Sequence, residues 1–343
     1  MSVSMVFGLL GGLALFLYGM QMMSVNLEAA AGSRMKHILE RLTANRFLGV
    51  CVGAGITAVI QSSSATTVMV VGFVNSGLMT LKQAVWIIMG ANIGTTVTGQ
   101  LIALDIGELA PFITFVGVAL ILFVKRKHVQ FAGGIIAGLG ILFIGMGMMG
   151  EAMVPLRESE VFVNLMTRFS NPLLGILAGA AFTAIIQSSS ASVGILQALA
   201  VSGLIGLDSA VFVLFGQNIG TCITAALASI GASRDAKRAT LIHLLFNVIG
   251  TAVFTAVCII WPLTGLVGDL TPANPAAQIA NMHTLFNIVT TLLLLPFGSQ
   301  LACLAGRLLP DKAMGKAEEE RWFEDLLESE HVLGVSVIAR KQL

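Results

Sequence analysis

In 343 residues, 56% are hydrophobic and only 11% are charged, and the mean hydropathy is +0.91. A water-facing surface needs about 25% charged residues, so these values exclude a soluble globular domain and give no basis for nucleic-acid binding. The formal net charge of +1 names no partner; the placement of the charges along the chain is more telling.

An apolar run of roughly 18 residues or more can cross the hydrocarbon core of a bilayer. The first such run is 3–24. Met1 to Met23 lacks a basic leader and a small-residue cleavage site, so it reads as a transmembrane helix rather than a signal peptide. Residues 25–45, with Asn26, Glu28, Arg34, Lys36, Glu40 and Arg41, read as an amphipathic helix at the interface. The apolar stretch 46–78 follows, broken in its middle by QSSSATT. Crossings are then expected at 83–104, 109–124 and 130–150. Residues 151–170 form the counterpart of 25–45, and a second apolar stretch, 172–204, is broken by QSSSAS. The last expected crossings are 209–231, 239–262 and 280–305, and a polar, helix-prone tail occupies 310–343. Cys51, Cys222, Cys258 and Cys303 lack CxxC spacing and imply neither a disulfide framework nor a zinc site.

A shift of 126 residues superimposes Gln61 on Gln187, Asn92 on Asn218 and Gly19 on Gly145. Residues 45–98 then match 171–224 without a gap at 25 of 54 positions. This is an internal duplication. If each broken stretch enters and leaves on one side, the first unit holds three crossings, and an odd number turns the second unit upside down. Basic residues concentrate on the cytoplasmic side of membrane proteins. With the N-terminus outside and the C-terminus cytoplasmic, 17 of the 19 Lys and Arg residues fall inside, leaving only Arg157 and Arg168 outside. The equivalent loop positions Lys82 and Asp208 carry opposite charge. The fold class that follows is an all-α polytopic membrane protein of two inverted-topology repeats. Each repeat carries a re-entrant helical hairpin and a broken transmembrane helix. The first spans 1–125, the second, with an added helix, 126–306, and a cytoplasmic tail 307–343.

Polar groups at membrane depth are tolerated where protein or a water-filled cavity satisfies them. Gln61, Ser62, Ser63 and Ser64, and their copies Gln187, Ser188, Ser189 and Ser190, therefore mark a candidate substrate site. The strings GANIGTTVT at 90–98 and GQNIGTCIT at 216–224 pair Asn with glycines inside a span. They are expected to unwind and offer carbonyl, Asn and Thr oxygens to a hard cation such as sodium. No acidic or basic residue lies inside the repeated spans away from their loop edges. An anion could be held there by helix N-termini, with co-bound cations compensating its charge. The residues point to cation-coupled anion transport without naming the anion. They show no Walker A lysine, no HExxH and no defensible Ser/His/Asp set, so an enzyme is not expected.

The paired QSSS and paired NIGT motifs, with RATLIHLLFN at 238–247 and MHTLFN at 282–287, resemble the type II sodium–phosphate cotransporter family in its bacterial branch. The resemblance covers about residues 5–305. It implies alternating-access cotransport of inorganic phosphate with sodium as coupling ion, without a further cofactor, in what is expected to be a bacterial inner membrane. It assigns phosphate to Gln61–Ser64 and Gln187–Ser190. Thr66, Asn92, Thr95, Ser192, Asn218 and Thr221 become sodium ligands by the same resemblance. Cys222 stands where the first half has Thr96, so a symmetric role for that hydroxyl is in doubt. Many bacterial relatives continue into a PhoU-like helical domain about where the tail begins. A phosphate exporter, a membrane sensor, and a cotransporter of another small anion remain open on the same scaffold, as does a homo-oligomeric assembly. His243, His283, Asn247 and Asn287 are expected mainly to pack helices.

Overall fold

The computed structural model describes residues 3–31, 45–104 and 106–311, and its regular structure there is entirely helical. The tail 312–343 and residues 32–44 of the expected interfacial helix lie outside the described residues. In chain order the first helices are α1 (Val3–Ala31), α2 (Arg46–Ile60), α3 (Ser63–Asn75), α4 (Leu81–Ile102) and α5 (Ala110–Phe123). They are followed by α6 (Lys127–Met153), α7 (Glu160–Thr167), α8 (Pro172–Ile186), α9 (Ser189–Val201) and α10 (Leu207–Gly220). The set ends with α11 (Cys222–Ala228), α12 (Arg234–Ile260), α13 (Leu263–Leu270), α14 (Pro275–Leu294) and α15 (Gly298–Leu308). Polar side chains set the starts: Asn45, Ser62, Asn171, Ser188, Ser233 and Asn274 cap helices, and Thr80 with Gln83 forms a capping box on α4.

Among the described residues, six helical segments are long and apolar enough to cross a membrane: 3–31, 81–102, 127–156, 207–228, 234–260 and 275–308. The seventh expected crossing, 109–124, is shorter. Gly107–Phe123 is about 25 Å long at 1.5 Å per residue, some 5 Å less than a hydrocarbon core of roughly 30 Å. Bulky apolar side chains such as Phe115, Phe123, Leu177 and Ile185 are exposed, as befits a surface solvated by lipid. The single amphipathic helix expected at 151–170 is instead divided. A 3₁₀ turn at Val154–Glu158, containing Pro155, separates α6 from α7, and a second 3₁₀ turn follows at Arg168–Ser170.

The expected unwinding at 90–98 does not occur. α4 is continuous through GANIGTTVT, and the second copy is interrupted only at Thr221, between α10 and α11. The glycines serve close packing instead. A Cβ on Gly90 would lie 2.0 Å from Val50 O on α2, and one on Gly216 would lie 2.0 Å from Ile176 O on α8. With Gly94 against Ala54 and Gly220 against Ala180, the contacts advance in the same direction on both helices of each pair. α2 thus runs parallel to α4, and α8 parallel to α10.

Contacts at the two ends of α4 order the loops. Beyond its start, Asn75 Oδ1 accepts from Ser233 N at 2.7 Å, and Arg238 pairs with Asp235 and Asp311 at 2.7 and 2.9 Å. Beyond its end, Asn274 Nδ2 donates to Ala103 O at 2.9 Å. There Ala103, Leu104, Glu151, Ser202 and Asn274 line a cavity of about 400 Å³.

Candidate functional site

Each QSSS segment is a junction between two helices. α2 ends at Gln61, whose backbone sits at φ 59°, ψ 24°, with its N–H on Thr57 O at 2.7 Å. α8 ends the same way at Gln187, at φ 59°, ψ 21°, with its N–H on Thr183 O at 2.7 Å. These are the two non-glycine residues of positive φ among the described residues. Left-handed backbone costs an L residue about 1–2 kcal/mol, and such strain gathers at functional sites. The next residue starts the returning helix. Ser62 Oγ accepts from Ala65 N at 3.1 Å, and Ser188 Oγ from Ala191 N at 3.2 Å. Each serine satisfies one of the free first-turn N–H groups; the positive end of the helix dipole there favours negative charge.

Behind the junctions lie two buried hydroxyl pairs. Thr57 Oγ1 donates to Thr66 Oγ1 at 2.9 Å, and the repeat-equivalent Thr183 Oγ1 and Ser192 Oγ stand 2.7 Å apart. The two junctions are joined by a residue that motif spacing did not single out, Thr98. Its hydroxyl donates to Gln61 Oε1 at 2.6 Å and accepts from Ser190 Oγ at 3.4 Å. The Gln61 amide N–H also meets Ala58 O. Gln61 is therefore buried and engaged, whereas Gln187 is exposed. Ser63, Ser189 and Ser190 are buried, and Ser62, Ser64 and Ser188 are half-buried.

The NIGT asparagines are held elsewhere. Asn92 Oδ1 lies 3.4 Å from His243 Nε2 on α12, and Asn218 Oδ1 lies 3.0 Å from His283 Nε2 on α14. One turn along, Asn247 Nδ2 donates to His243 O at 3.0 Å and Asn287 Nδ2 to His283 O at 2.9 Å. The i, i+4 spacing of each His and Asn puts both on one helix face, and that spacing is the sequence signal that could have paired them. Thr95 and Thr221 are buried; Thr221 Oγ1 bonds Gln217 O at 3.0 Å, while Thr95 Oγ1 has no hydrogen-bond partner among the described residues. Further amides bind across helices: Gln197 Nε2 donates to Gly99 O at 2.9 Å and Ala276 O at 3.0 Å. Among the described residues no cluster of three His, Cys, Asp or Glu could hold a metal. What the interior offers is neutral: hydroxyl and side-chain amide oxygens, and the N–H groups of the first turns of α3 and α9.

A family model described as Na+/Pi-cotransporter matches residues 15–151 and 153–267. The chain is 34% identical over 298 residues to YqeW, an uncharacterized protein of Bacillus subtilis, covering 87% of this chain and 96% of that one. It is 30% identical over 306 residues to YjbB of Salmonella typhimurium, named as a candidate inorganic phosphate export protein. That match covers 89% of this chain but 56% of YjbB, so the chain spans about half the length of that relative. Human sodium-dependent phosphate transport protein 2B is 36% identical over 107 residues, 30% of this chain and 16% of that protein. No solved structure matches.

Proposed function

Because the chain belongs to the Na+/Pi-cotransporter family, we propose that it moves inorganic phosphate across a membrane together with sodium, by alternating access. The observation that carries this reading is the chain of hydrogen bonds from Gln61 through Thr98 to Ser190, which ties the first QSSS junction to the second. Phosphate sits between the junctions, on the first turns of α3 and α9, with Gln61 to Ser64 and Gln187 to Ser190 around it. Sodium ions occupy neutral oxygen groups: Thr66 and Ser192 behind the junctions, and Asn92, Thr95, Asn218 and Thr221 in the two NIGT strings. Each ion lowers the cost of the other in a site without formal charge, and this coupling is reciprocal.

The topology of the proposal is inverted. α2 and α3 form a hairpin entering from the cytoplasmic face, and α8 and α9 form one entering from outside. Two contacts support it: the base of the first hairpin, at Asn75, meets Ser233, while Ser202 at the base of the second lines the cavity shared with Ala103 and Asn274. These lie beyond opposite ends of α4. We place the protein in a bacterial inner membrane.

The test is phosphate flux in proteoliposomes with sodium, potassium and proton gradients imposed separately. Sodium alone should drive uptake, and Ser62→Trp or Ser188→Trp should abolish it while membrane insertion persists. Undiminished sodium-driven flux in both variants rejects the site. A second reading, export, is favoured by the similarity to YjbB, which is named for inorganic phosphate export. It requires phosphate-loaded vesicles to release phosphate without an imposed sodium gradient.

A further inference from the structure

A groove of about 540 Å³ lies between α8, α11 and α12. α8 contributes Ala180, Ala181 and Ala184 to its walls, and α12 contributes Leu241 and Leu244. The two side-chain hydroxyls of the lining donate to backbone. Thr240 Oγ1 lies 3.2 Å from Ala225 O and 3.3 Å from Ala236 O, and Ser229 Oγ lies 2.9 Å from Ala226 O. Little is left to hold water there, and an apolar groove left empty would forfeit the dispersion contacts of its walls. Along α12 the groove reaches from Lys237 to Leu244, about 10 Å at 1.5 Å per residue. Leu244 is 37% exposed and Val248, one turn further, is 42% exposed. This side of α12 therefore faces hydrocarbon, and the medium that fills the groove is an acyl chain.

One end of the groove is different. Lys237, half-buried, is the charged member of the lining among the described residues. It makes no ion pair among those residues, because Asp235 and Asp311 are both engaged by Arg238, at 2.7 and 2.9 Å. Arg234 stands three residues earlier, on the same helix face. A cation at the mouth of a dry groove matches the two parts of an anionic lipid: a charged head and an apolar chain. Basic pockets between transmembrane helices at the cytoplasmic surface bind such headgroups.

We propose that this groove holds an acyl chain of an anionic phospholipid, with the headgroup phosphate on Lys237. Only the choice of leaflet rests on the topology proposed above, which puts the start of α12 at the cytoplasmic surface. Because α8 forms one wall and ends at Gln187, the bound chain braces the second QSSS junction from the lipid side.

The test uses the full chain, purified in detergent and stripped of lipid. Its melting temperature is followed as phosphatidylglycerol is added, with phosphatidylcholine of the same chains in parallel. A ligand that binds the folded state raises the melting temperature saturably. Phosphatidylglycerol should do so in the wild type, and phosphatidylcholine should need about fivefold more lipid for half of the shift, as the loss of one charge contact implies. Lys237→Gln should raise the phosphatidylglycerol midpoint by about the same factor. Lys125→Gln, which removes an exposed lysine outside the groove, should leave it unchanged. Ala181→Leu, which fills the groove from an exposed position on α8, should remove most of the shift. Lys237→Met, which keeps the length of the stem, repeats the charge test should the glutamine variant misfold. A wild type indifferent to phosphatidylglycerol overturns the proposal. So do equal effects of the two lipids, equal losses in Lys237→Gln and Lys125→Gln, or a folded Ala181→Leu protein with an unaltered shift. The assay contains neither phosphate nor an ion gradient, so its result is separate from the transport reading: a chain that carries no phosphate can pass it, and a sodium–phosphate cotransporter can fail it.

Discussion

Thr98 connects two segments that lie 126 residues apart in the duplicated chain, and its hydroxyl is the only part that does so. Thr98→Val keeps the shape and removes the hydroxyl. Gln61 Oε1 then stays buried without its donor, a penalty of about 1–3 kcal/mol. The hydroxyl of the equivalent Thr224 donates locally, to Thr221 O at the break just before its own helix, at 3.0 Å. Sodium-driven phosphate uptake should therefore fall by roughly tenfold or more in Thr98→Val, as one such bond implies. Thr224→Val should change it by less than about twofold, consistent with the loss of a partly buried local bond. Equal losses in both would mean that the effect is generic to threonine removal. The QSSS serines were legible in the sequence because a polar run in an oily stretch is conspicuous by composition. Thr98 was not, because it closes a string already rich in threonine. Its importance comes from a partner 37 residues back and another 92 residues on. The same holds for His243 and Asn92, which meet across 151 residues. Periodicity is local, and these contacts are not.

At the scale of helices, hydropathy located the elements well, because lipid imposes apolar runs of crossing length. The expected crossing 83–104 is Leu81–Ile102, and 130–150 is contained in Lys127–Met153. The GANIGTTVT string was misread for a physical reason. Glycine permits unwinding, but it also permits backbones to touch, and sequence cannot distinguish the two uses. Here the second prevails, and it can be measured. Gly90→Ala would drive a Cβ to 2.0 Å from Val50 O and 2.8 Å from Ala54 N. Both neighbours are backbone and cannot step aside as a flexible side chain would. α2 must shift, and overpacking of this kind costs about 1–3 kcal/mol. Gly55→Ala lies on α2 itself, with nothing within 4 Å of its added Cβ. It should be neutral or slightly stabilising, by up to about 1 kcal/mol from helix propensity. Thermal unfolding in detergent reads both. A Gly90→Ala protein as stable as the Gly55→Ala protein would show that α2 and α4 do not pack as closely as described. The outcome also bears on the site, since α2 delivers Gln61 to Thr98.

For the molecule as a whole, the duplication alone leaves orientation unsettled: two copies of one sequence can lie parallel or inverted. The discriminating feature is the parity of crossings, and the weakest member of that count is the short segment Gly107–Phe123. If it crosses, the repeats are inverted and the loops before α4 and α10 lie on opposite sides. If it does not, they lie on the same side. Lys82 and Asp208 are equivalent residues in the first turns of α4 and α10, at the edges of those loops, and both are exposed. Basic residues favour the cytoplasmic side, so Lys82 belongs inside. The sequence therefore has the charges the inverted arrangement requires. The decisive measurement uses a background in which Cys51, Cys222, Cys258 and Cys303 have been replaced, with Lys82→Cys or Asp208→Cys added singly. A membrane-impermeant maleimide applied to intact cells should label the Asp208→Cys protein and leave the Lys82→Cys protein untouched until the membrane is opened. Labelling of both from the same side would make the repeats parallel, and the two QSSS hairpins would then enter from one face. Phosphate could still rest between Ser62 and Ser188 in that arrangement, but exchanging the roles of the two halves would no longer carry it from one side to the other.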